Sequence, residues 1–293
     1  MKDLARLEQV IQEHAHPDYQ DFLLNSIQAS IRLVPQLEKS LKLGQSKFGG
    51  APDLPKSVKW PSNSKGEAYT FVAQINLAEL EAFDLQGQLP QKGILYFFLD
   101  WTRIDDGKVL YLQEEESLRT ARIPEFVTRE RKRWWQKLFK LKGRNLLIQE
   151  AGVSMHTEYY NASWDSLDSE RFERQHSSSS KRSMIFHEDV FELGLLSNPG
   201  EKELDSKHHM LGRYLGVQNE YCELHLANIK TKFPKLSFAE IDQALEWKLL
   251  LQFDSDDSLG FQWGDWGRVY FFIHQDDLRS GNFGQVKIFA QCY

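Results

Sequence analysis

Cysteine is scarce in this 293-residue chain: only Cys222 and Cys292 occur, far apart and in no CxxC pair. That spacing excludes a disulfide framework and a four-thiolate zinc site. No apolar run approaches the roughly 20 residues that span a bilayer. The opening MKDLARLEQVIQEHAHPDYQ carries charge throughout and lacks the apolar core of a signal peptide. A reducing, cytoplasmic setting is therefore expected. Catalytic signatures are missing too. There is no GxSxG, no HExxH, no GxGxxG and no GxxxxGK[ST], and Gly49-Gly50 has none of the surroundings of a phosphate loop. Acyl transfer, zinc-dependent hydrolysis and nucleotide cradling all lose their usual sequence support. The formal net charge of −6 gives no overall attraction to nucleic acid or anionic lipid.

Aromatic residues are abundant, with 19 Phe, 10 Tyr and 8 Trp. Aromatics suit pleated, half-buried surfaces and bring large buried area, so a sheet-rich core is expected. The N-terminal stretch reads as helix over 3–27, interrupted at Pro17, which suits the first turn of a second helix. Ile31–Val34 reads as a strand ending at Pro35. Ser46–Pro55 is turn chemistry, followed by strands at Tyr69–Ile75 and Ile94–Leu99, with Asn76 capping a short helix between them. In the last third, His209–Tyr214 reads as a glycine-containing turn and Phe238–Glu246 as a helix. Strands follow at Trp247–Asp254 and Arg268–Ile273.

Two stretches repeat one order. Phe71-Val72-Ala73-Gln74-Ile75-Asn76 answers Leu249-Leu250-Leu251-Gln252-Phe253-Asp254, and Gly93-Ile94-Leu95-Tyr96-Phe97-Phe98 answers Gly267-Arg268-Val269-Tyr270-Phe271-Phe272. The expected fold is α+β: two related β-rich halves from an internal duplication, with an N-terminal helical segment and a central insertion. The boundaries are 1–45 for the helices and first strand, 46–118 for the first unit, 119–205 for the insertion and 206–293 for the second unit. All four belong to one compact domain. The matched glutamines read as scaffold, satisfying backbone groups at a sheet edge or sharp turn.

The motifs also carry a resemblance. They are Ser46-Lys47-Phe48-Gly49-Gly50-x-Pro52-x-Leu54-Pro55, Trp60-Pro61, Gln74-Ile75-Asn76-Leu77, Leu89-Pro90-x-x-Gly93, Tyr96-Phe97-Phe98, Leu249–Asp256 and Trp263–Ile273. In this order the chain resembles the YwqG-like family of bacterial proteins over residues 46–293. The resemblance implies an α+β fold of uncharacterised function and supplies no catalytic residues.

Several features could carry chemistry. Asp254–Gly260 is acidic, but an EF-hand frame from Asp254 puts Leu259 where a glycine is needed and Asp265 in place of the bidentate Glu. His208 and His209 are adjacent, so on a strand they face opposite ways and cannot share one metal. No metal and no cofactor is expected. Trp263-Gly264-Asp265-Trp266-Gly267 offers indole faces, turn glycines and an acceptor, suited either to a ligand or to closing a sheet edge. Between Arg119 and Arg144 stand ten Lys/Arg against two Glu. Arg129, Arg131, Lys132, Arg133 and Lys137 would form a basic contact surface beside Trp134 and Trp135, with nucleic-acid or membrane contact the less favoured use.

The favoured function is a cytosolic binding or protein-interaction module, regulatory or of immunity type, with another protein as partner and no small-molecule ligand specified. The alternative is an enzyme with an unfamiliar site between the halves. Trp60, Gln74, Gln252, Asp254, Trp263 and Asp265 are the candidate ligand-binding residues, with Asp254 or Asp265 as general base.

Overall fold

A computed structural model describes residues 4–37, 40–100, 103–113, 117–128, 147–163, 166–176, 206–218, 221–231 and 235–293. The chain opens with helices α1 (Leu4–His14) and α2 (Pro17–Asn25). Pro17 occupies the first turn of α2, and the His16 side chain accepts from the Asp18 N–H. Strands follow as β1 (Gln28–Gln36), β2 (Lys47–Phe48), β3 (Asp53–Pro55), β4 (Thr70–Asn76), β5 (Ile94–Asp100), β6 (Arg103–Leu112) and β7 (Leu118–Thr120). After the helical turn α3 (Glu125–Thr128) come β8 (Ala151–Tyr160), α4 (Leu167–His176), β9 (His209–Met210), α5 (Cys222–Leu226) and α6 (Phe238–Ala244). The chain ends with β10 (Trp247–Asp254), β11 (Arg268–His274), α7 (Gln275–Ser280) and β12 (Lys287–Gln291). The fold is thus α+β.

Ten strands form one antiparallel sheet in the order β12-β11-β10-β9-β1-β8-β2-β4-β5-β6. Its two edge strands, β6 and β12, lie against each other, so the sheet is nearly closed. Its central pair, β1 and β8, comes from segments 1–45 and 119–205. The two expected units therefore meet through strands that neither contains. One boundary differs from the sequence reading: β1 runs on through Pro35, which pairs with Val153. The Leu33 N–H points toward β9, donating to His208. Two residues on, the missing Pro35 N–H faces the same side past the end of that two-residue strand, where no partner needs it.

Alternation divides the aromatics between two faces. Leu95, Phe97 and Leu99 of β5 and Val269, Phe271 and Ile273 of β11 point into the common interior. There Phe97 meets Phe271 edge to face at 5.0 Å. Ile94, Tyr96 and Phe98 form a separate outer cluster with Leu54, Tyr69 and Phe71, while Tyr270 and Phe272 do so with Leu249, Cys222 and Leu226. Strands covered on both faces explain the nearly continuous apolar runs.

The two halves share a bonding pattern. Gln74 pairs with Tyr96 across β4–β5, and Gln252 with Tyr270 across β10–β11. Each ladder bulges two residues before its glutamine, at Val72 and at Leu250. The bulge carbonyl accepts from the residue after the short strand, Gly49 at 2.9 Å and Leu211 at 3.4 Å. That residue and the next are left-handed in both halves: Gly49 (φ 56°) and Gly50 (φ 64°), Leu211 (φ 59°) and Gly212 (φ 67°). The Gln74 amide oxygen accepts from Asp53 N and its nitrogen donates to Gln45 O; Gln252 does the same with Leu215 N and Lys207 O. Tyr96 donates to Asp53 O and Tyr270 to Leu215 O.

Leucine at position 74 or 252 would keep the volume but leave a loop N–H without its acceptor and a carbonyl without its donor. Each Gln→Leu variant is expected to lose about 2–4 kcal/mol in urea unfolding. A loss under about 0.5 kcal/mol in either half would mean that the amide does not hold that loop.

Candidate functional site

The sequence-derived candidates fall into three groups. Gln74 and Gln252 lie in the buried networks just described, at no measurable exposure. Asp254 joins the second network: it accepts from Gln252 Nε2 at 2.9 Å and from Lys207 N, and pairs with Arg268 at 3.1 Å. Burial works against the Arg268 charge, but Asp254 beside it outweighs that and holds its pKa up. Trp60 packs edge-on against Phe98 at 5.7 Å and donates its indole N–H to Tyr69 O. Trp263 is buried in the interior against Phe261 and Phe253. Asp265 stands exposed on the turn, its carbonyl accepting from Tyr293 N. The structure brings Gln252 and Asp254 together and leaves Trp60, Gln74, Trp263 and Asp265 in separate surroundings. Arg129, Arg131, Lys132, Arg133 and Lys137 lie outside the described residues.

The neighbouring histidines also part company. His208 faces Asp256 at 3.0 Å, whose carboxyl additionally receives the Ser258 N–H and hydroxyl. Burial would raise the Asp256 pKa, yet these bonds and the imidazole hold it well below the usual range. His209 directs its ring nitrogens at the carbonyls of Lys207 and Arg213, and burial draws its pKa down.

A different set of residues surrounds open space. A cavity of about 320 Å3 lies over the outer face of β10–β11, within the range of small-molecule sites. Its floor is Leu249 and Phe272, with Trp247 and Lys248 at the start of β10. One wall comes from the end of β8 and the start of α4 (Tyr160, Ser163, Leu167, Asp168), another from the loop after β9 (Gly212–Gly216), and Glu223 of α5 completes it. A second hollow of about 280 Å3, bordered by α2 and α4, shares Gln28, Asp168 and Arg213 with the first. Arg213 stands between them, paired with Asp168 and donating twice to Ser26 O.

Glu223 and Lys248 set the cavity's electrostatics. Burial pushes the Glu223 carboxyl up to about 7, against an ordinary 4.5; hydrogen bonds from its own backbone N–H and from the Tyr214 hydroxyl, at 3.0 Å, offset only part of that. Burial likewise draws the Lys248 ammonium down; its hydrogen bond runs to Leu245 O at 2.8 Å. A carboxyl titrating near neutrality, a partly desolvated amine and a phenol in one cavity form a set able to bind and to exchange protons.

Comparing the halves shows why the hollow lies here. Over Phe98 the first half places Trp60, backed by Leu54, Val58, Leu118 and the small β3–β7 sheet. Over the matched Phe272 the second half places Tyr214, edge-on at 5.5 Å, beside the smaller Cys222 and Leu226 of α5, and among the described residues no indole stands where Trp60 does. One outer face is filled by an indole; the other keeps room.

Residues 46–292 match a domain of unknown function, DUF1963. The chain belongs to this family. No curated protein matches it. Within the DUF1963 region fall both glutamines, the tyrosines opposite them and most of the cavity wall, whereas Gln45, which accepts from Gln74, stands just before it. Strand β1, paired with β8 over its whole length, precedes the match and contributes Gln28 to the wall. Sequence reasoning missed Glu223 and Lys248 because no motif spacing joins them. The available signal was a charge set among apolar neighbours, in Tyr-Cys-Glu-Leu and Trp-Lys-Leu-Leu-Leu.

Glu223 also makes stability depend on pH. Its folded pKa lies above its unfolded one, so its favourable contribution is complete below about pH 4.5 and is lost as pH rises through about 7. Glu223→Gln, which cannot ionise, is expected to gain on the native chain across that window, by on the order of 3 kcal/mol at pH 8. Urea unfolding at pH 5 and pH 8 checks it; an unchanged difference between the two would place the carboxyl in water.

Proposed function

We propose that this DUF1963 chain is a small-molecule-binding module whose site is the Glu223–Lys248 cavity. The observation that carries the reading is the contrast between halves on one frame: Trp60 fills the first outer face, and the second retains a cavity lined by titratable groups. The reading is further supported by the side chains that define the space, which stand on strand ends and on helices packed against the sheet. It keeps the binding module expected from sequence. As a cytosolic regulatory or immunity factor, the chain would report occupancy of the cavity to another protein. Among the described residues no helix is long and apolar enough to cross a membrane.

We propose as well that the halves are copies of one unit, supported by matched bulges, left-handed pairs and glutamine bonds. The YwqG-like assignment belongs with this, supported by the Ser46–Pro55 and Trp263–Ile273 strings. The enzyme reading has one specific support: Glu223 could act as general acid–base with Tyr214 oriented on it.

Gly216 offers a direct test. A Cβ there would meet nothing nearer than 3.5 Å, and its backbone is not left-handed. Gly216 stands in the cavity lining, and an indole introduced there as Gly216→Trp is expected to narrow the space without backbone strain. A thermal-shift panel of small organic acids, amines and neutral aromatics is expected to raise the melting temperature of the native chain by several degrees for at least one class, roughly as for a ligand at 100-fold its Kd. The same compound should leave Gly216→Trp unmoved. Equal shifts in both proteins, or none in either, would remove the cavity as the site. Turnover of the bound compound, lost in Glu223→Gln, would select the enzyme reading.

A further inference from the structure

The cavity also shows which charge its occupant carries, an inference that rests on the binding reading above. Its four charged groups are not equivalent. Asp168 and Arg213 are paired with each other, and Arg213 is further fixed on Ser26 O, so both have their bonding directed into the protein. Lys248 makes one hydrogen bond, to Leu245 O, and so has further N–H capacity. Glu223 receives the Tyr214 hydroxyl on Oε2 and, when protonated, has an O–H to donate. Lys248 and Glu223 lie close enough for their charges to act on each other. Among the four charged groups the surplus is therefore of donors, which need an acceptor, while the neutral amides and hydroxyls of the lining can serve as either. The rest of the lining is mixed: Trp247, Phe272 and Leu249 give a flat apolar surface, and Gln28, Asn161, Ser163, Ser166 and Gln218 add neutral polar groups.

We propose that the cavity takes a small carboxylate with a flat apolar body, its oxygens held by the Lys248 ammonium and by the Glu223 carboxyl in its protonated form. A carboxylate beside a carboxyl shares one proton between two acids, since both cannot stay charged at close range. Binding above neutrality therefore takes up a proton, and affinity falls as pH rises. An amine ligand would do the reverse, because Glu223 would have to lose its proton to pair with it. The other groups facing the pair are Asp168 on α4, Arg213 and Tyr214 on the loop after β9, and Arg279 on α7. His225 lies on the same helix as Glu223, so its contribution is tested separately with His225→Gln.

The test uses the full chain with benzoate as probe and benzylammonium and benzamide as controls, followed by calorimetry between pH 6 and 8.5. Saturable benzoate binding is expected, weakening toward about tenfold per pH unit above the Glu223 pKa. Buffers of different ionisation enthalpy should report net proton uptake. Lys248→Met should lower benzoate affinity about tenfold or more, and Glu223→Gln should flatten the pH dependence while retaining binding. His225→Gln should change neither. Benzylammonium binding that tightens with pH, or benzoate binding indifferent to Lys248→Met, would overturn the charge assignment while leaving the cavity as a ligand site. No binding of any probe, with the broad panel moving the native chain and Gly216→Trp alike, would overturn both. Circular dichroism of each variant separates lost binding from lost fold.

Discussion

A buried glutamine amide in each half is the interaction on which the sheet depends. β2 and β9 are two residues long and stand between much longer strands. The chain leaves each through a pair of left-handed residues, which turn the following loop away from the ladders. The N–H and C=O groups of the loops on either side are nonetheless buried or half-buried, and a buried one would cost about 1–3 kcal/mol without a partner. An amide presents an acceptor and donors from one rigid plane. It therefore closes both gaps, on Asp53 and Gln45 in one half and on Leu215 and Lys207 in the other. The tyrosine opposite supplies the remaining donor.

Each amide also meets a buried carboxylate at 2.9 Å, but the acid and its cation come from different places. In the first half the acid is Asp53, on the loop itself, and the cation is Lys47 on β2. Burial would raise the Asp53 pKa, yet the Gly44 N–H, the Gln74 amide and the Lys47 charge outweigh that and lower it. In the second half the acid is Asp254 on β10 and the cation Arg268 on β11. His209 then occupies the register position of Lys47. Moving the ion pair off the loop leaves Leu215 where the first half has Asp53. The loop from Gly212 to Gly216 consequently carries no buried acid and can form the wall of a cavity.

Much of this frame was legible in the sequence. Gly-x-x-Tyr-Phe-Phe reads as a strand because aromatics alternate with aliphatics between two covered faces, and a glutamine inside such a run has to be satisfied. Pro17 and Asn76 act as the helix-end signals they appeared to be, because capping is local. The longer β1 was not legible: whether Pro35 interrupts a strand depends on where β9 ends, some 175 residues later in the chain. The cavity was illegible for the same reason. Gln28, Asp168, Glu223 and Lys248 lie on separate elements, and only sheet closure brings them to one face. The tryptophans of Trp263–Gly267 stood out chemically, but Trp263 is placed by its size in the interior, while Trp266 takes a left-handed backbone at φ 47° to turn the chain.

The energetic position of Glu223 separates it from the other buried acids. Asp53 and Asp256 each face a cation or an imidazole and several donors, which lower their pKa and favour the ionised form, and Asp254 pairs with Arg268. Glu223 has the Tyr214 phenol, its own backbone N–H and the more distant Arg213 charge, which do not outweigh burial, and near neutrality its ionisation opposes folding by an amount that matters against a total stability of about 5–15 kcal/mol. A glutamine of the same shape would remove that opposition and could still accept from Tyr214. Packing and hydrogen bonding therefore give no account of a carboxyl at this position. What the carboxyl offers that an amide lacks is a proton it can hold or release near pH 7, and it offers that beside a lysine and an open volume. On the proposed binding role, the cost of that carboxyl to the fold is offset by what enters the space next to it.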